Sequence, residues 1–365
     1  MIAIKVPDTY LNQDGIIARV GDYIQPLAHR VLIVTSPRAW QAASEQVTAS
    51  LERHGLHYRV LFLEGYCTRE TVAALHEQAL EERAELILGI GGGRVLDTAK
   101  AVGNHQASLP VITVPTIAAT CAAWSPISVV YSAQGAHLGA ITLQRLPVWV
   151  LVDSEVIARS PVRYLKAGIV DALAKWYEFQ PYLRHGDDAL ALQIKAQVAR
   201  LAVDVFDQYG EQALADNQRQ RVTPALHKAI DGAIALAGVA NSFRDDKPRL
   251  GVGHAIHNSL THLPALQQWL HGEKVGFGLA VQAQLRRYGS PVTPTGAGAA
   301  GDGFRDNRRA SQDPGRRRRT SAVRSGRQRP ATGAVGDASL STASMTGQNG
   351  EEDVSFLIPF SAPPG

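Results

Sequence analysis

Residues 86–100 read LILGIGGGRVLDTAK. The apolar run 86–90 predicts a buried strand, and the spacing after Gly93 is that of a helix. A helix that starts at a glycine turn points its free N–H groups and its positive dipole end at whatever lies there, which favours a phosphate. The dinucleotide fingerprint G-x-G-x-x-G is incomplete, because Arg94 stands where the third glycine would be. The stretch therefore predicts an α/β unit and leaves two interpretations of its turn, a phosphate site or a tight corner.

The same alternation of strand and helix extends on both sides of this stretch, over residues 1–160. Strands separated by helices imply a mainly parallel sheet that is covered on both faces. From Pro161 onward, long segments rich in Ala and Leu predict an all-helical second domain. We expect strands at 31–35, 58–63, 86–90, 111–114 and 148–152, and helices at 38–54, 69–83, 93–105, 162–184, 187–209, 211–240 and 249–263.

Composition divides the 365 residues into three regions. We expect an α/β domain over residues 1–160 and a helical domain over 161–285. Residues 286–365 are mostly small, polar and Arg residues and include the run Arg316–Arg319. Such a segment cannot bury enough apolar surface to offset its ordering entropy, so we predict a disordered C-terminal tail. The abrupt change of composition also fits a change of reading frame after the last predicted helix.

The charge and cysteine content exclude several classes of protein. The formal net charge is +4, but 12 arginines and seven acidic residues lie from Arg286 onward. Of totals of 37 basic and 33 acidic residues, 25 and 26 remain in residues 1–285, so nucleic acid is not expected as a partner. Two cysteines, Cys67 and Cys121, suit a reducing compartment. With no signal-peptide or membrane-span pattern, we expect a cytoplasmic location and no membrane partner.

Five motifs follow one another along the chain: Gly91–Lys100, Pro115–Thr120, Asp171–Ala174, His254–Asn258 and His271–Val275. In order and spacing they resemble the iron-containing, metal-dependent alcohol dehydrogenase family, over residues 1–285. The glycerol dehydrogenase branch is most similar, and its hydroxycarboxylate dehydrogenase members share the runs 116–124 and 175–178. The resemblance implies a Rossmann-like parallel-sheet domain followed by an all-α domain, the dehydroquinate synthase-like fold, and it leaves a homo-oligomer open.

This resemblance also implies that the glycine turn binds a dinucleotide. The residues that would hold the pyrophosphate and the nearby ribose are Gly92, Gly93, Arg94 and Asp97. The residues that would line the nicotinamide side are Thr116, Ser125, Ile127 and Tyr131.

The residues after the first predicted strand bear on the choice of dinucleotide. An NAD site usually places a carboxylate there, against the adenosine ribose 2′-OH. This chain instead has Ser36-Pro37-Arg38, with no acid. Ser36 and Arg38 could hydrogen-bond a 2′-phosphate that a carboxylate would repel. We therefore expect NADP(H), with NAD(H) as the alternative; Arg38 as a solvated residue at a helix start is the other interpretation.

By the same resemblance, the metal ligands are Asp171, His254 and His271. One oxygen and two nitrogens with an open fourth position suit a catalytic Zn²⁺, and Fe²⁺ would also be tolerated. We expect zinc rather than iron. Lys175 lies one helical turn after Asp171, where iron-type members have a histidine ligand. A protonated lysine cannot ligate, so it would bring a cation to the open site, unless it only pairs with Asp171 or Glu178.

The remaining candidate residues concern the proton and the substrate. His257, one turn after His254, is the expected proton relay, or else a residue that supports a ligand or the core. Glycerol dehydrogenases carry an Asp where this chain has Cys121, which argues against a polyol. Lys175 and Arg249 could pair with a substrate carboxylate.

These residues lead to one expected function and two alternatives. We expect a metal-dependent NAD(P)H oxidoreductase that interconverts 2-oxo acids, such as 2-oxoglutarate or 2-oxobutyrate, and 2-hydroxy acids by hydride transfer. One alternative is a glycerol or polyol dehydrogenase that uses NAD. The other is an inactive or incompletely folded member of the family, because residues 286–365 replace the helices with which the family fold ends.

Overall fold

The computed structural model describes residues 2–106 and 108–287. The strands are β1 Ala3–Ile4, β2 Thr9–Gln13, β3 Arg30–Thr35, β4 His57–Phe62, β5 Leu86–Gly91, β6 Val111–Pro115, β7 Ile127–Tyr131, β8 His137–Thr142, β9 Trp149–Asp153 and β10 Phe243–Arg244. The α-helices are α1 Val20–Ile24, α2 Pro37–Arg53, α3 Arg69–Glu81, α4 Gly93–Asn104, α5 Ser154–Ala158, α6 Val162–Arg184, α7 Leu190–Gln218, α8 Pro224–Asp231, α9 Ala237–Ser242, α10 Val252–Leu260 and α11 His271–Arg287. The tail for which we predict disorder lies, from residue 288 onward, outside the described residues.

A six-stranded parallel sheet forms the α/β part, in the order β2-β9-β6-β5-β3-β4. All residues of β5 and β6 are buried, as both faces of a covered parallel sheet require. Val31 and Ile33 pack towards α2 on one face, while Leu32 and Val34 pack towards α3 and α4 on the other. The mixed α/β fold expected from the sequence is confirmed, with β2 as an edge strand that we did not predict.

The sheet reverses its direction of growth between β3 and β5. From β3 the chain passes through α2 outward to β4, whereas from β5 it passes through α4 to β6 on the opposite side. The carboxyl ends of the two strands are tied together, because Thr35 Oγ1 donates to Ile90 O at 2.8 Å. Ligands of open α/β sheets bind at such a switch point. It brings Ser36 and Gly92 to the same edge, each at the start of a helix.

Helices make up nearly all of the chain from Val162 to Arg287. The bounds of α6 agree with the expected segment 162–184. The expected break near residue 210 is wrong: α7 continues through Gly210 to Gln218, since glycine at an interior helical position weakens a helix without ending it. A π-helical turn, Gly232–Leu236, separates α8 from α9. Within the described residues, no helix combines the length and apolar character that a bilayer crossing needs.

Candidate active site

The glycine turn lies at the switch point of the sheet and opens α4. Gly92 is the N-cap, and because glycine has no side chain, it leaves the first N–H groups of α4 without a side-chain cap. A Cβ on Gly92 would lie 2.8 Å from Ile117 Cδ1, and one on Gly93 would lie 3.2 Å from Thr120 Oγ1. The turn is therefore packed under the loop that follows β6, while the first N–H groups of α4 point towards the carboxyl edge of the sheet. This is the arrangement that a phosphate site needs.

Aromatic side chains flank the turn. The guanidinium of Arg94 lies 5.0 Å from the ring centre of Tyr66 and donates to Gly65 O at 3.4 Å. The ring of Tyr66 is 5.7 Å from that of Tyr131, on β7. Burial, and then the nearby Asp97, raise the pKa of Tyr131, so its phenol is neutral. A continuous surface thus leads from the turn to β7.

Three of the residues expected on the nicotinamide side lie along the next segments of the chain. Thr116 is buried, and its backbone N–H donates to Gly91 O at 3.1 Å, which joins the ends of β5 and β6. Ser125 is buried and Ile127 half-buried, just before and at the start of β7. The expected cofactor residues therefore lie at and just before the start of α4, directly after β6, and just before and within β7.

The expected metal ligands converge from three helices. Asp171 lies on α6, His254 on α10 and His271 at the start of α11. Asp171 Oδ1 is 3.3 Å from His254 Nε2 and 3.1 Å from His271 Nε2. One ligand atom from each residue lies within 4.8 Å of the others. Asp171 is buried, and both imidazoles are half-buried, so the cluster faces a partly open space.

Close helix contacts at two glycines bring these ligands together. A Cβ on Gly168, in α6, would overlap the carbonyl oxygen of Ala118 in the loop after β6. A Cβ on Gly272, in α11, would overlap the carbonyl oxygen of Ala167. Glycine is thus required where α6 meets the loop after β6 and where α11 meets α6. Asp171 and His271 lie within one helical turn of these contacts.

The cluster fits a divalent metal. Glu178 Oε2 accepts from His254 Nδ1 at 2.7 Å, which leaves Nε2 to face Asp171. A carboxylate behind an imidazole is the usual support for a metal-binding histidine. Burial lowers the pKa of His254, but Glu178 and Asp171 outweigh it and raise the pKa to about 10, so a metal would displace a proton there. Glu178 therefore supports His254, a role that we did not predict from the sequence. Its position two helical turns after Asp171, on the same helix, is the signal that could have indicated it.

His257 contacts His271, the second histidine of the cluster. His271 Nδ1 is 2.9 Å from His257 Nε2, and His257 Nδ1 is 3.0 Å from Asn258 Oδ1. If His271 ligates through Nε2, its Nδ1–H donates to His257, whose own Nδ1–H then donates to Asn258. Burial, together with His271, lowers the pKa of His257 to about 2, so this imidazole is neutral. The line of contacts fixes the orientation of His271.

Lys175 pairs with Asp171, one of the two carboxylates that we considered. Its ammonium donates to Asp171 O at 3.1 Å and to Asp171 Oδ2 at 3.4 Å. Asp171 thus presents Oδ1 to the histidines and Oδ2 to the lysine. Although burial alone would raise the pKa of Asp171, Lys175 and the imidazoles bring it well below the usual range.

Cys121 is buried and accepts from Asn241 Nδ2 at 3.4 Å; burial raises the pKa of its thiol.

Arg249 is not brought into this cluster. Its Nε donates to Asp187 Oδ2 at 2.8 Å, and its Nη1 donates to Asp245 Oδ1 at 2.7 Å. Two carboxylates therefore balance the guanidinium, which is only 5% exposed. This geometry argues against the substrate role that we expected and favours a structural one, in which Arg249 ties the segment before α10 to the end of α6.

The Arg249 ion pair predicts a stability difference at low pH. Hydrogen bonds from Arg249, above all, lower the pKa of Asp187 from 3.8 to about 2. A carboxylate with a lowered pKa stabilises the fold above its unfolded pKa, and this contribution is lost as the pH falls towards the folded value. We therefore expect wild type to be more stable than Asp187→Asn at pH 6, and the difference to shrink below about pH 4. Urea unfolding of both chains across this range measures it; a constant difference would contradict the pairing.

Comparisons with known proteins agree with this fold. The family model described as iron-containing alcohol dehydrogenase matches residues 7–154. A glycerol dehydrogenase of Pseudomonas putida is 36% identical over 287 residues, which cover 78% of this chain and 77% of that protein. Hydroxycarboxylate dehydrogenase A of Escherichia coli K12 is also 36% identical, over 282 residues, 76% of each chain. The crystal structure of a probable glycerol dehydrogenase from Sinorhizobium meliloti superposes with a TM-score of 0.68 at 29% identity, covering 81% of this chain and 85% of that one.

The chain therefore belongs to the iron-containing alcohol dehydrogenase family. It is an oxidoreductase of a family that acts on CH–OH groups and binds a metal and NAD(H). The resemblance stated from the sequence is confirmed, including its glycerol dehydrogenase branch.

Proposed function

We propose that the chain is a metal-dependent NAD(P)H oxidoreductase that interconverts 2-oxo acids and 2-hydroxy acids by hydride transfer. Asp171, His254 and His271 would hold the metal, with Zn²⁺ preferred over Fe²⁺ for one oxygen and two nitrogen ligands. When bound, the metal supplies Lewis-acid polarisation of the substrate oxygen. The convergence of these three side chains near the carboxyl edge of the sheet supports a site where substrate and nicotinamide meet.

The observation that carries the choice of substrate is the position of Lys175. An ammonium has three N–H donors, and among the described residues Asp171 takes two of them. The side chain is 6% exposed, so the remaining donor lies in a region of low dielectric beside the ligand cluster. A substrate carboxylate next to the reacting carbonyl would complete its hydrogen bonds.

The loop at Cys121 supports the same choice. A polyol hydroxyl needs an acceptor, but here the Cys121 sulfur already accepts from Asn241 and is buried. Trp124, nearby in the loop, donates its indole N–H to Ser242 Oγ at 3.0 Å. Both side chains of the loop are thus engaged by residues of α9, which favours an anionic group bound by Lys175 over several hydroxyls bound by this loop.

His257 is the proposed proton carrier. It lies one step from the ligand cluster, through its 2.9 Å contact with His271. In this position it orients His271, and because its pKa is lowered to about 2, it would relay a proton only as an imidazole that does not remain protonated.

A comparison of initial rates tests the function. We expect reduction of 2-oxoglutarate or 2-oxobutyrate with NADPH and Zn²⁺ to be faster than oxidation of glycerol with NAD⁺. The glycerol dehydrogenase relatives support the alternative, and a faster rate with glycerol would favour it. A folded chain that binds nucleotide but turns over neither substrate would favour an inactive family member.

Lys175→Met tests the carboxylate contact. Loss of a hydrogen bond to a charged group costs about 1.5–3 kcal/mol, so we expect kcat/KM for 2-oxoglutarate to fall about 10–100-fold. Glycolaldehyde, a carbonyl compound without a carboxylate, is the control substrate. Because it cannot pair with Lys175, a fall in its rate reports only the effect of the substitution on Asp171. An equal fall for both substrates would argue that Lys175 only supports Asp171.

Ser36 and Arg38 test the proposed preference for NADP(H). Ser36 is the N-cap of α2 without a side-chain cap hydrogen bond, and Arg38 is exposed in the first turn. We expect Arg38→Ala to raise KM for NADPH about tenfold without changing KM for NADH, as loss of one charge-assisted contact predicts. Ser36→Asp should reverse the preference. Equal KM values for both nucleotides in wild type would show that the chain does not discriminate.

A further inference from the structure

Lys100 is a fully buried lysine on α4 whose ammonium has a complete set of partners. The side chain is 0% exposed. Its Nζ lies 3.0 Å from Asp97 Oδ1 and donates to Ser125 O at 3.0 Å and to Ile127 O at 2.7 Å. These three partners match the three N–H donors of an ammonium. No role for Lys100 is expected from the sequence pattern.

Asp97 completes the arrangement from one turn earlier on α4. Its Oδ1 pairs with Lys100, and its Oδ2 accepts from the backbone N–H of Val129 at 3.2 Å. The side chain is 10% exposed. Both oxygens are therefore engaged by groups of the chain itself, whereas the family resemblance implied that Asp97 contacts the pyrophosphate or ribose.

Together the two side chains hold one segment at three points. The three backbone atoms that they hold belong to every second residue of the stretch that runs from the loop into β7: Ser125 O, Ile127 O and Val129 N. This segment carries Ser125 and Ile127, two of the four side chains expected to line the nicotinamide side. The helix that holds it begins at Gly93, where the pyrophosphate is proposed to bind. The two ends of the cofactor site are thus joined through α4.

We propose that Asp97 and Lys100 are a positioning pair that fixes the segment Ser125–Val129 relative to the glycine turn, and that neither side chain contacts the dinucleotide. The proposal rests on the dinucleotide site of the proposed function. It predicts that loss of the pair weakens binding of the nicotinamide end of the cofactor and leaves binding of the pyrophosphate end unchanged. The pyrophosphate would be bound by N–H groups at the start of α4, which do not depend on the lysine.

Two ligands separate the ends of the site. NADPH, followed by its fluorescence, reports the whole site, whereas 2′-phospho-ADP-ribose has the pyrophosphate and both riboses but no nicotinamide. For Lys100→Met we expect Kd for NADPH to rise and kcat to fall, each about 10–100-fold, as displacement of a positioning segment by about 1 Å would cause. The affinity for 2′-phospho-ADP-ribose should be unchanged. Asp97→Asn should show the same split.

Asn217→Leu is the matched control. Asn217 is a buried donor on α7 whose Nδ2 binds the backbone oxygens of Ile157, Ala158 and Ser160, so its loss also removes buried bonds to carbonyls. We expect this variant to lose stability and to keep both affinities. If Lys100→Met leaves an unpaired Asp97 that prevents folding, the double variant Asp97→Asn with Lys100→Met removes both charges and is compared in its place.

The outcomes separate the two proposals. Weakening of 2′-phospho-ADP-ribose in Asp97→Asn would show that Asp97 contacts the ribose or pyrophosphate and would overturn the positioning role. Unchanged NADPH binding and kcat in Lys100→Met would overturn it as well. Failure of the folded wild-type chain to bind either nucleotide would instead overturn the dinucleotide site on which the inference rests.

Discussion

Asp171→Ala is expected to abolish metal retention and turnover while the chain remains folded. Asp171 Oδ1 is the atom shared by both histidines, and Oδ2 anchors Lys175. Its removal takes away the one carboxylate among the three proposed metal ligands and leaves a buried ammonium without its carboxylate. Removal of a group that only orients a metal ligand lowers metal affinity roughly 10–100-fold. We expect Asp171→Ala to lower the affinity by more than that.

Metal content after dialysis and the Kd for Zn²⁺ measure this effect. Glu178→Gln, which weakens the support of His254, should fall between wild type and Asp171→Ala. Asp204→Ala is the control, since Asp204 is a carboxylate with 52% side-chain exposure on α7 that pairs with Arg200. Retention of metal by Asp171→Ala at wild-type affinity would exclude Asp171 as a ligand.

Gly168→Ala is expected to damage the fold and the site together. The added Cβ would overlap the carbonyl oxygen of Ala118, a backbone atom that cannot move aside as a flexible side chain would. Overpacking of this kind costs about 1–3 kcal/mol of unfolding free energy. Because Asp171 follows one turn later on α6, the shift that relieves the overlap should also weaken metal binding.

Gly210→Ala gives the comparison. Gly210 lies inside α7, and its added Cβ would have Phe206 Cβ at 3.7 Å as its nearest neighbour, an ordinary contact. Alanine at an open helical position stabilises by about 0.5–1 kcal/mol relative to glycine. Urea unfolding should therefore move in opposite directions for the two variants. A Gly168→Ala chain as stable as Gly210→Ala would show that α6 is not in close contact with the loop after β6 at Ala118.

Local pattern was sufficient for much of the fold. The glycine turn, the neighbouring parallel strands and α6 all follow from apolar periodicity and from glycine positions, which are properties of short segments. The family resemblance carried by the motifs also implied the three residues that the structure brings together, Asp171, His254 and His271.

What the sequence could not predict depends on contacts between distant segments. Asp187 lies 62 residues before Arg249, and its carboxylate, not a substrate, binds that guanidinium. Lys100 shows no spacing that distinguishes it from a surface lysine of an amphipathic helix, yet it is enclosed by the segment that leads into β7. Local spacing places a side chain on a helix face, whereas the partner on that face comes from the tertiary fold.

The position of the metal tests the central claim most directly. Crystals of the full chain grown with Zn²⁺ and NADPH, measured at the zinc absorption edge, locate the ion by its anomalous signal. We expect one strong peak at about 2.0–2.2 Å from Asp171 Oδ1, His254 Nε2 and His271 Nε2, as zinc–oxygen and zinc–nitrogen bonds require. A peak bound by other residues, or a well-ordered cluster without a peak, would contradict the account.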